Sequence, residues 1–229
     1  MIFEKLRAIY IILEMAISIT VLIILMYLFK SKSKYFRKKW AGMQIKVLGI
    51  ELQIEGKEDP NAQMQVMNHQ SVLDIILFEY LHSKDLAWIS KVEIANIPWF
   101  GHIAKAPEMI LVERESKKSL VKLLKDCKDR LNNGRPIGVF PEGTRSDGKK
   151  LLKFKAGARI IAEKYDLLVQ PVMIIGTRKI LDSQNLRQQS GVVKVKYLPS
   201  VKAIKGTTWF KDIEATMASE LALEVNNDI

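Results

Sequence analysis

The 229-residue chain is poor in the groups that most often carry nucleophilic or metal chemistry. It has one cysteine, Cys127, so no internal disulfide can form, and a lone thiol is compatible with a reducing compartment. It has three histidines, His69, His82 and His102, and neither they nor Cys127 show a recognised ligand spacing, so no metal site is expected. A G-x-S-x-G elbow is absent, which removes the serine nucleophile of the α/β-hydrolases. No internal repeat or low-complexity tract is apparent, and 48% hydrophobic residues exclude a disordered chain. Acidic residues are outnumbered, 25 against 36 basic ones, giving a formal charge of +11 and pointing to an anionic partner. Nucleic acid, acidic lipid headgroups and an acidic carrier protein all satisfy that charge.

The longest apolar run is at the amino terminus, where residues 8–29 read AIYIILEMAISITVLIILMYLF. As a helix it spans about 33 Å, enough for a bilayer's hydrocarbon core. A secretory signal is disfavoured, because the run is long and no small-residue cleavage site precedes the basic cluster. A buried helix of a soluble protein stays open as an alternative. The segment KSKSKYFRKKWAG follows, with Tyr35, Phe36 and Trp40 among six basic residues, a composition suited to the headgroup boundary. The basic excess places the rest of the chain in the cytoplasm. Glu14, two turns into the run, is costly at depth and allows a second arrangement in which the segment enters one leaflet and returns. Two regions are expected: a membrane-anchoring helical segment over residues 1–42 and a folded domain over residues 43–229.

Past Gly42 short β-rich runs alternate with helical ones. Residues 43–56 read as paired strands; 63–67, 86–90, 109–113, 137–140, 167–175 and 191–198 read as strands. Residues 71–81, 116–133, 156–165 and 209–226 read as helices. In the helix over 116–133, Leu120, Leu123, Leu124, Cys127 and Leu131 form an apolar stripe, and Gly134 ends it. The alternation predicts an α/β domain with a single mixed, largely parallel sheet flanked by helices.

The sharpest constellation is NHQSVLD, residues 68–74, where a strand gives way to a helix. Ligand sites in α/β sheets form at such strand ends. His69 and Asp74 would diverge by about 140° on one continuous helix, so they meet only if the helix starts after the histidine. Ser71 as N-cap would let Asp74 reach back to the imidazole. The plain structural alternative is a capping box, in which Asp74 satisfies a backbone N–H. Chemically, a carboxylate fixes the imidazole tautomer and stabilises the imidazolium. With no serine elbow, and with Cys127 on an apolar helix face, such a histidine would activate a hydroxyl or water from outside.

FPEGTRS, residues 140–146, follows a strand. Gly143 permits close backbone approach to a ligand and Arg145 supplies a planar fork for a phosphate. Glu142 could order that arginine or bind a hydroxyl; a loop tied by a Glu–Arg ion pair is the alternative. SKVEIANIPWFG, residues 90–101, carries Lys91, and Arg114 ends a strand, where an ordinary solvated charge is equally open.

Asn68-His69 with Asp74, then residues 91–101 ending in Arg114, then residues 140–146, then Val169-Gln170-Pro171-Val172, resemble the four ordered blocks of the 1-acylglycerol-3-phosphate acyltransferase family of glycerolipid acyltransferases. The resemblance covers roughly residues 60–175. It implies catalytic roles for His69 and Asp74. It implies that Glu142, Gly143, Thr144 and Arg145, with Arg114, hold the glycerol phosphate end, with Lys91 near the acceptor. It also implies an amino-terminal hydrophobic helical pair seated in the membrane. Between Gly101 and Arg114, where such proteins often carry a glycine, this chain reads AKAPEM, which bears on the fit of the acceptor or acyl chain.

The implied reaction moves an acyl group from a thioester, acyl-CoA or acyl carrier protein, to the sn-2 hydroxyl of the lysophospholipid, giving phosphatidic acid. His69 takes the hydroxyl proton, backbone N–H groups stabilise the oxyanion, and no cofactor beyond the thioester co-substrate is needed. The implied location is the cytoplasmic face of a membrane, for a bacterium the inner membrane. Membrane lipids are then partners and nucleic acid is not. The alternatives are the same chemistry on another acceptor such as a lyso-ornithine lipid, hydrolysis by the same pair, and a membrane-tethered basic binding protein. A nucleic-acid binder should display a groove-reading helix or an ordered surface of lysines and aromatics, and neither is evident.

Overall fold

The computed structural model describes residues 2–113, 117–182 and 187–227. Two helices come first, α1 (Ile2–Leu28) and α2 (Ser33–Val47), joined by a 3₁₀ turn at Lys30–Lys32. The chain then runs through β1 (Ile50–Glu55), β2 (Met64–Met67), α3 (Leu73–Leu81) and β3 (Ala87–Lys91). Two short helices, α4 (Val92–Ala95) and α5 (His102–Lys105), precede β4 (Ile110–Val112), α6 (Lys117–Asn132), β5 (Ile137–Val139) and α7 (Ala156–Lys164). β6 (Leu168–Ile175), α8 (Thr177–Ile180), the small hairpin of β7 (Leu181–Asp182) and β8 (Arg187–Gln188), β9 (Gly191–Tyr197), β10 (Val201–Lys202) and α9 (Trp209–Asn227) follow.

The main sheet has the order β1-β9-β6-β2-β5-β3-β4, with β10 beside β6. From β6 to β4 all neighbours are parallel, so the carboxyl ends of β6, β2, β5, β3 and β4 share one edge. β9 runs antiparallel to β6, and β1 parallel to β9, which makes the sheet mixed. Pro171 is tolerated inside β6 because it falls between the stretch paired with β10 and the stretch paired with β9, where no N–H is required.

Alternation along the strands feeds two cores. Val169 and Met173 of β6 join Leu123, Cys127, Ile161 and Met217 from α6, α7 and α9 on one side. Val172 and Ile174 join Leu73, Leu77 and Phe78 of α3 with Ala41 and Ile45 of α2 on the other. The result is a sheet between two helical layers.

The expectation of paired strands over residues 43–56 is half right. β1 is there, but α2 continues to Val47 and crosses the boundary expected after residue 42. The stretch Met43 to Val47 alternates like a strand, yet Arg37, Ala41, Gln44, Ile45 and Leu48 are buried at helical spacing. Gly42 allows the continuation: a Cβ there would lie 2.9 Å from the Tyr80 ring of α3. The short helices α4, α5 and α8 and the β7–β8 hairpin carry too few residues for a readable period.

In α1 Glu14 and Ser18 face α2. Gln44 Nε2 donates to Glu14 Oε1 (2.8 Å) and to Ser18 Oγ (3.2 Å), and Trp40 Nε1 donates to Ser18 Oγ at 3.0 Å. Outward, α1 shows an apolar stripe of Tyr10, Leu13, Ile17, Val21, Ile24 and Leu28. By length and composition Ile9–Leu28 can cross a membrane.

Candidate active site

β2 stops at Met67, and the side chain of Asn68 then takes over the ladder. Its Nδ2 donates to Ile174 O (2.8 Å) while its Oδ1 accepts from Ile174 N (2.7 Å), fixing the strand end against β6. The chain turns before α3 begins at Leu73, two residues later than Ser71. Ser71 is not the residue that opens the helix: its hydroxyl donates to Leu181 O at 2.8 Å and receives the Leu73 N–H only at 3.4 Å.

Asp74 bonds the backbone at the start of the helix and the imidazole at the same time. Asp74 Oδ2 accepts the backbone N–H groups of Gln70 (2.7 Å) and Ser71 (2.9 Å), and lies 2.7 Å from His69 Nδ1. Oδ1 accepts the Thr177 hydroxyl at 2.6 Å. Asp74 is fully buried, and with four donors its charge is satisfied without a cation. The carboxylate therefore holds the proton on Nδ1 and leaves Nε2 with its lone pair.

The loop after β5 closes over this corner. Ser146 N donates to His69 O at 2.8 Å. Phe140 stacks on the imidazole, with centroids 4.0 Å apart, and Trp88 stacks on Phe140 in turn. Glu142 is buried, and its two oxygens accept the backbone N–H groups of His69 and Leu152, both at 2.7 Å. Burial pushes its carboxyl up to about 7, against the pull of the Leu152 and His69 N–H groups, and the charge on Asp74 pushes the same way. Glu142 thus ties the loop to the histidine's own backbone. Gly143 has φ +70°, within the turn closed by its N–H on Phe140 O at 3.0 Å. Thr144 and Arg145 project to the surface beside it.

The sheet brings most of the expected residues to one edge. His69 follows β2, residues 140–146 follow the adjacent β5, and Lys91, half-buried, ends β3 one strand further on. Arg114, expected beyond β4, lies outside the described residues. Away from this edge, His82 is buried and accepts the Lys84 N–H at 3.1 Å, while His102 pairs with Tyr27. Cys127 is buried in the core, and burial raises its thiol to about 12. Among the described residues no cluster of His, Cys, Asp and Glu could hold a metal ion.

Sequence reasoning missed Thr177, and it named Asn68 and Phe140 only within their motifs, with no role for either side chain. Thr177 is 103 positions from Asp74, and no local spacing reports such a pair. Only its place five residues past the end of the fourth block, Val169 to Val172, was a possible signal.

A family model described as "Acyltransferase" matches residues 51–175, more than half of the chain. The chain belongs to the acyltransferase family. A 1-acyl-sn-glycerol-3-phosphate acyltransferase of Helicobacter pylori is 39% identical over 221 residues, covering 95% of this chain and 93% of that protein. A chloroplastic 1-acyl-sn-glycerol-3-phosphate acyltransferase of Arabidopsis thaliana is 34% identical over 193 residues, 78% of this chain and 54% of that protein; the chain spans about half the length of this plant relative. The crystal structure of the 1-acyl-sn-glycerophosphate acyltransferase PlsC from Thermotoga maritima is similar in fold, with a TM-score of 0.76 at 23% identity, covering 99% of this chain and 96% of that one.

Proposed function

We propose that this enzyme transfers a fatty acyl chain from a thioester donor to the sn-2 hydroxyl of 1-acylglycerol-3-phosphate, giving phosphatidic acid. The observation that carries this reading is the Asp74-held imidazole set against the loop of residues 140–146. The relative from H. pylori, similar over nearly its whole length, supports the same acceptor.

His69 Nε2 takes the proton of the acceptor hydroxyl as its oxygen attacks the thioester carbonyl. The tetrahedral adduct collapses, the C–S bond breaks, and the leaving thiolate recovers the proton from the imidazolium. Asp74 stabilises that imidazolium. Gly143, Thr144 and Arg145, with Lys91 on the same sheet edge, are the phosphate-gripping set in this reading, to which the resemblance adds Arg114. Glu142 supports them from inside, since its carboxylate is occupied by backbone N–H groups. The donor is acyl-CoA or acyl carrier protein, and no other cofactor takes part. The exposed apolar stripe of α1 seats the protein in a membrane, and the basic cluster after Phe29 favours the cytoplasmic face, in a bacterium that of the inner membrane.

A second acceptor is favoured by one similarity. A lyso-ornithine lipid O-acyltransferase of Rhizobium meliloti is 29% identical over 123 residues, 53% of this chain and 41% of that protein. The test is acyl transfer by purified wild type and His69→Ala, with acyl-CoA and acyl carrier protein donors supplied separately, to lysophosphatidic acid and to lyso-ornithine lipid. Preference for the phosphate-bearing acceptor, lost in the variant, is the expected result. Preference for the phosphate-free acceptor overturns the substrate, and a stable acyl adduct on the intact protein by mass spectrometry overturns direct transfer.

A further inference from the structure

Asp74 fixes one atom of the His69 imidazole, and one hydrogen bond tolerates tilt. The ring can still swing about the line from Nδ1 to Oδ2 and carry Nε2 with it. A second constraint is needed to set its plane, and two further rings supply one. Phe140 lies on His69 with centroids 4.0 Å and planes 15° apart, and Trp88 lies on Phe140 at 5.5 Å and 12°.

The indole at the end of this stack is itself anchored. Trp88 is 1% exposed, and its Nε1 donates to Glu79 Oε1 at 2.8 Å. The other oxygen of Glu79 pairs with Arg37 of α2, so the acceptor is held through both oxygens. Arg37 pairs with Asp85 as well, and Asp85 in turn holds Arg135 at 3.1 Å. On the strand side a glycine makes the room. Trp88 of β3 is the direct partner of Gly138 in β5, where a Cβ would lie 2.9 Å from the indole Cε3. A glycine inside a strand weakens it, and here it marks the close approach of the ring. α3 therefore acts on the imidazole twice. Asp74 in its first turn holds the Nδ1 edge, and Glu79 in its last turn acts through Trp88 and Phe140.

We propose that Trp88 is a positioning residue for the acyl transfer: held by Glu79 and seated over Gly138, its indole backs the Phe140 ring and so keeps the His69 imidazole in the plane that presents Nε2 to the acceptor hydroxyl. Filling the core requires only apolar volume. Holding a plane requires a flat ring at a fixed tilt, and the indole N–H on Glu79 sets that tilt. The effect on rate follows from orientation, since a general base displaced by a fraction of an ångström loses much of its advantage while substrates still bind. This inference rests on the reading of His69 as the base.

The experiment uses the full-length protein in detergent micelles. Trp88→Leu, which keeps apolar volume but no plane, should lower kcat about tenfold with the KM values for lysophosphatidic acid and thioester unchanged. Trp88→Phe, which keeps an aromatic face without the N–H, should recover much of that loss. Gly138→Ala removes no core atom and pushes the indole aside, so it should also lower kcat at constant KM. The second readout needs no acyl transfer. With carbon-13 at histidine Cε1 the three histidines give three nuclear magnetic resonance signals, and His69→Ala identifies that of His69. Trp88→Leu and Gly138→Ala should each shift the His69 signal while that of His102, on α5 against Tyr27, stays in place and reports an intact fold. If Trp88→Leu disturbs His102 too, Gly138→Ala alone decides. A His69 signal unmoved in the folded variants overturns the proposal, as does Trp88→Phe no faster than Trp88→Leu. A shifted signal in a protein whose His69→Ala variant keeps its rate leaves the stack in place and removes the base reading instead.

Discussion

The corner at Asp74 and the outer stripe of α1 invert the usual distribution of polar and apolar groups in opposite ways. At Asp74 a carboxylate is fully buried, and it is accommodated because two backbone N–H groups, an imidazole and a hydroxyl all converge on it. On α1, leucine, isoleucine and valine side chains are left open along several turns, while the helix's polar Glu14 and Ser18 turn inward to Gln44. The first arrangement stores its cost in pre-organisation and so is available to chemistry. The second has no compensation among the described residues, and the membrane seating proposed above supplies it. A buried polar group needs partners inside the fold, whereas an exposed apolar one needs them outside.

That contrast can be broken at either end. The largest effect is expected at the corner: His69→Ala should lower the rate of acyl transfer by about 10⁴-fold, and Asp74→Asn by roughly 10³-fold. Steady-state kinetics on lysophosphatidic acid measure both, and a near-normal His69→Ala rate would remove the imidazole from the chemistry. Stability separates the two faces of α1. Ile11, buried against α2, should cost about 2–5 kcal/mol when changed to Ala. Ile17→Asp on the open stripe should shift unfolding in detergent by only about 0.5 kcal/mol while vesicle binding falls sharply. An equal loss of stability in both would mean that the stripe is packed in the folded protein.

Thr177→Val leaves Asp74 Oδ1 without its hydroxyl donor and should cost about 1–3 kcal/mol of stability, with kcat down about tenfold and KM unchanged. Thr177→Ser should restore most of both, and failure of that rescue would make the methyl group the relevant part. The last effect is a pH dependence at Glu142. Its carboxyl is raised from 4.5 to about 7, so the folded state binds the proton more tightly than the unfolded chain. Its stabilising contribution is complete below pH 4.5 and is lost as the pH climbs through about 7. Urea midpoints followed from pH 4.5 to 8 should therefore decline more in wild type than in Glu142→Gln; parallel curves would place the titration elsewhere.

The sequence by itself determined the longer elements of the α/β domain and the candidate residues they carry. The apolar run, the alternation of strands and helices and the ordered blocks around His69, residues 140–146 and Val169 to Val172 were readable because each is written in neighbouring residues, where period and turn chemistry act. The pairing of His69 with Asp74 was also accessible, since a helix start between them is a local event. Only the tertiary structure decided that Asp74 is shared with Thr177, that Glu142 bonds the backbone of His69 and Leu152, that Phe140 covers the imidazole, and that α2 runs on through Gly42 against Tyr80. These depend on which strands become neighbours, and strand order is set by the packing of two whole cores, a condition that no short window of residues contains.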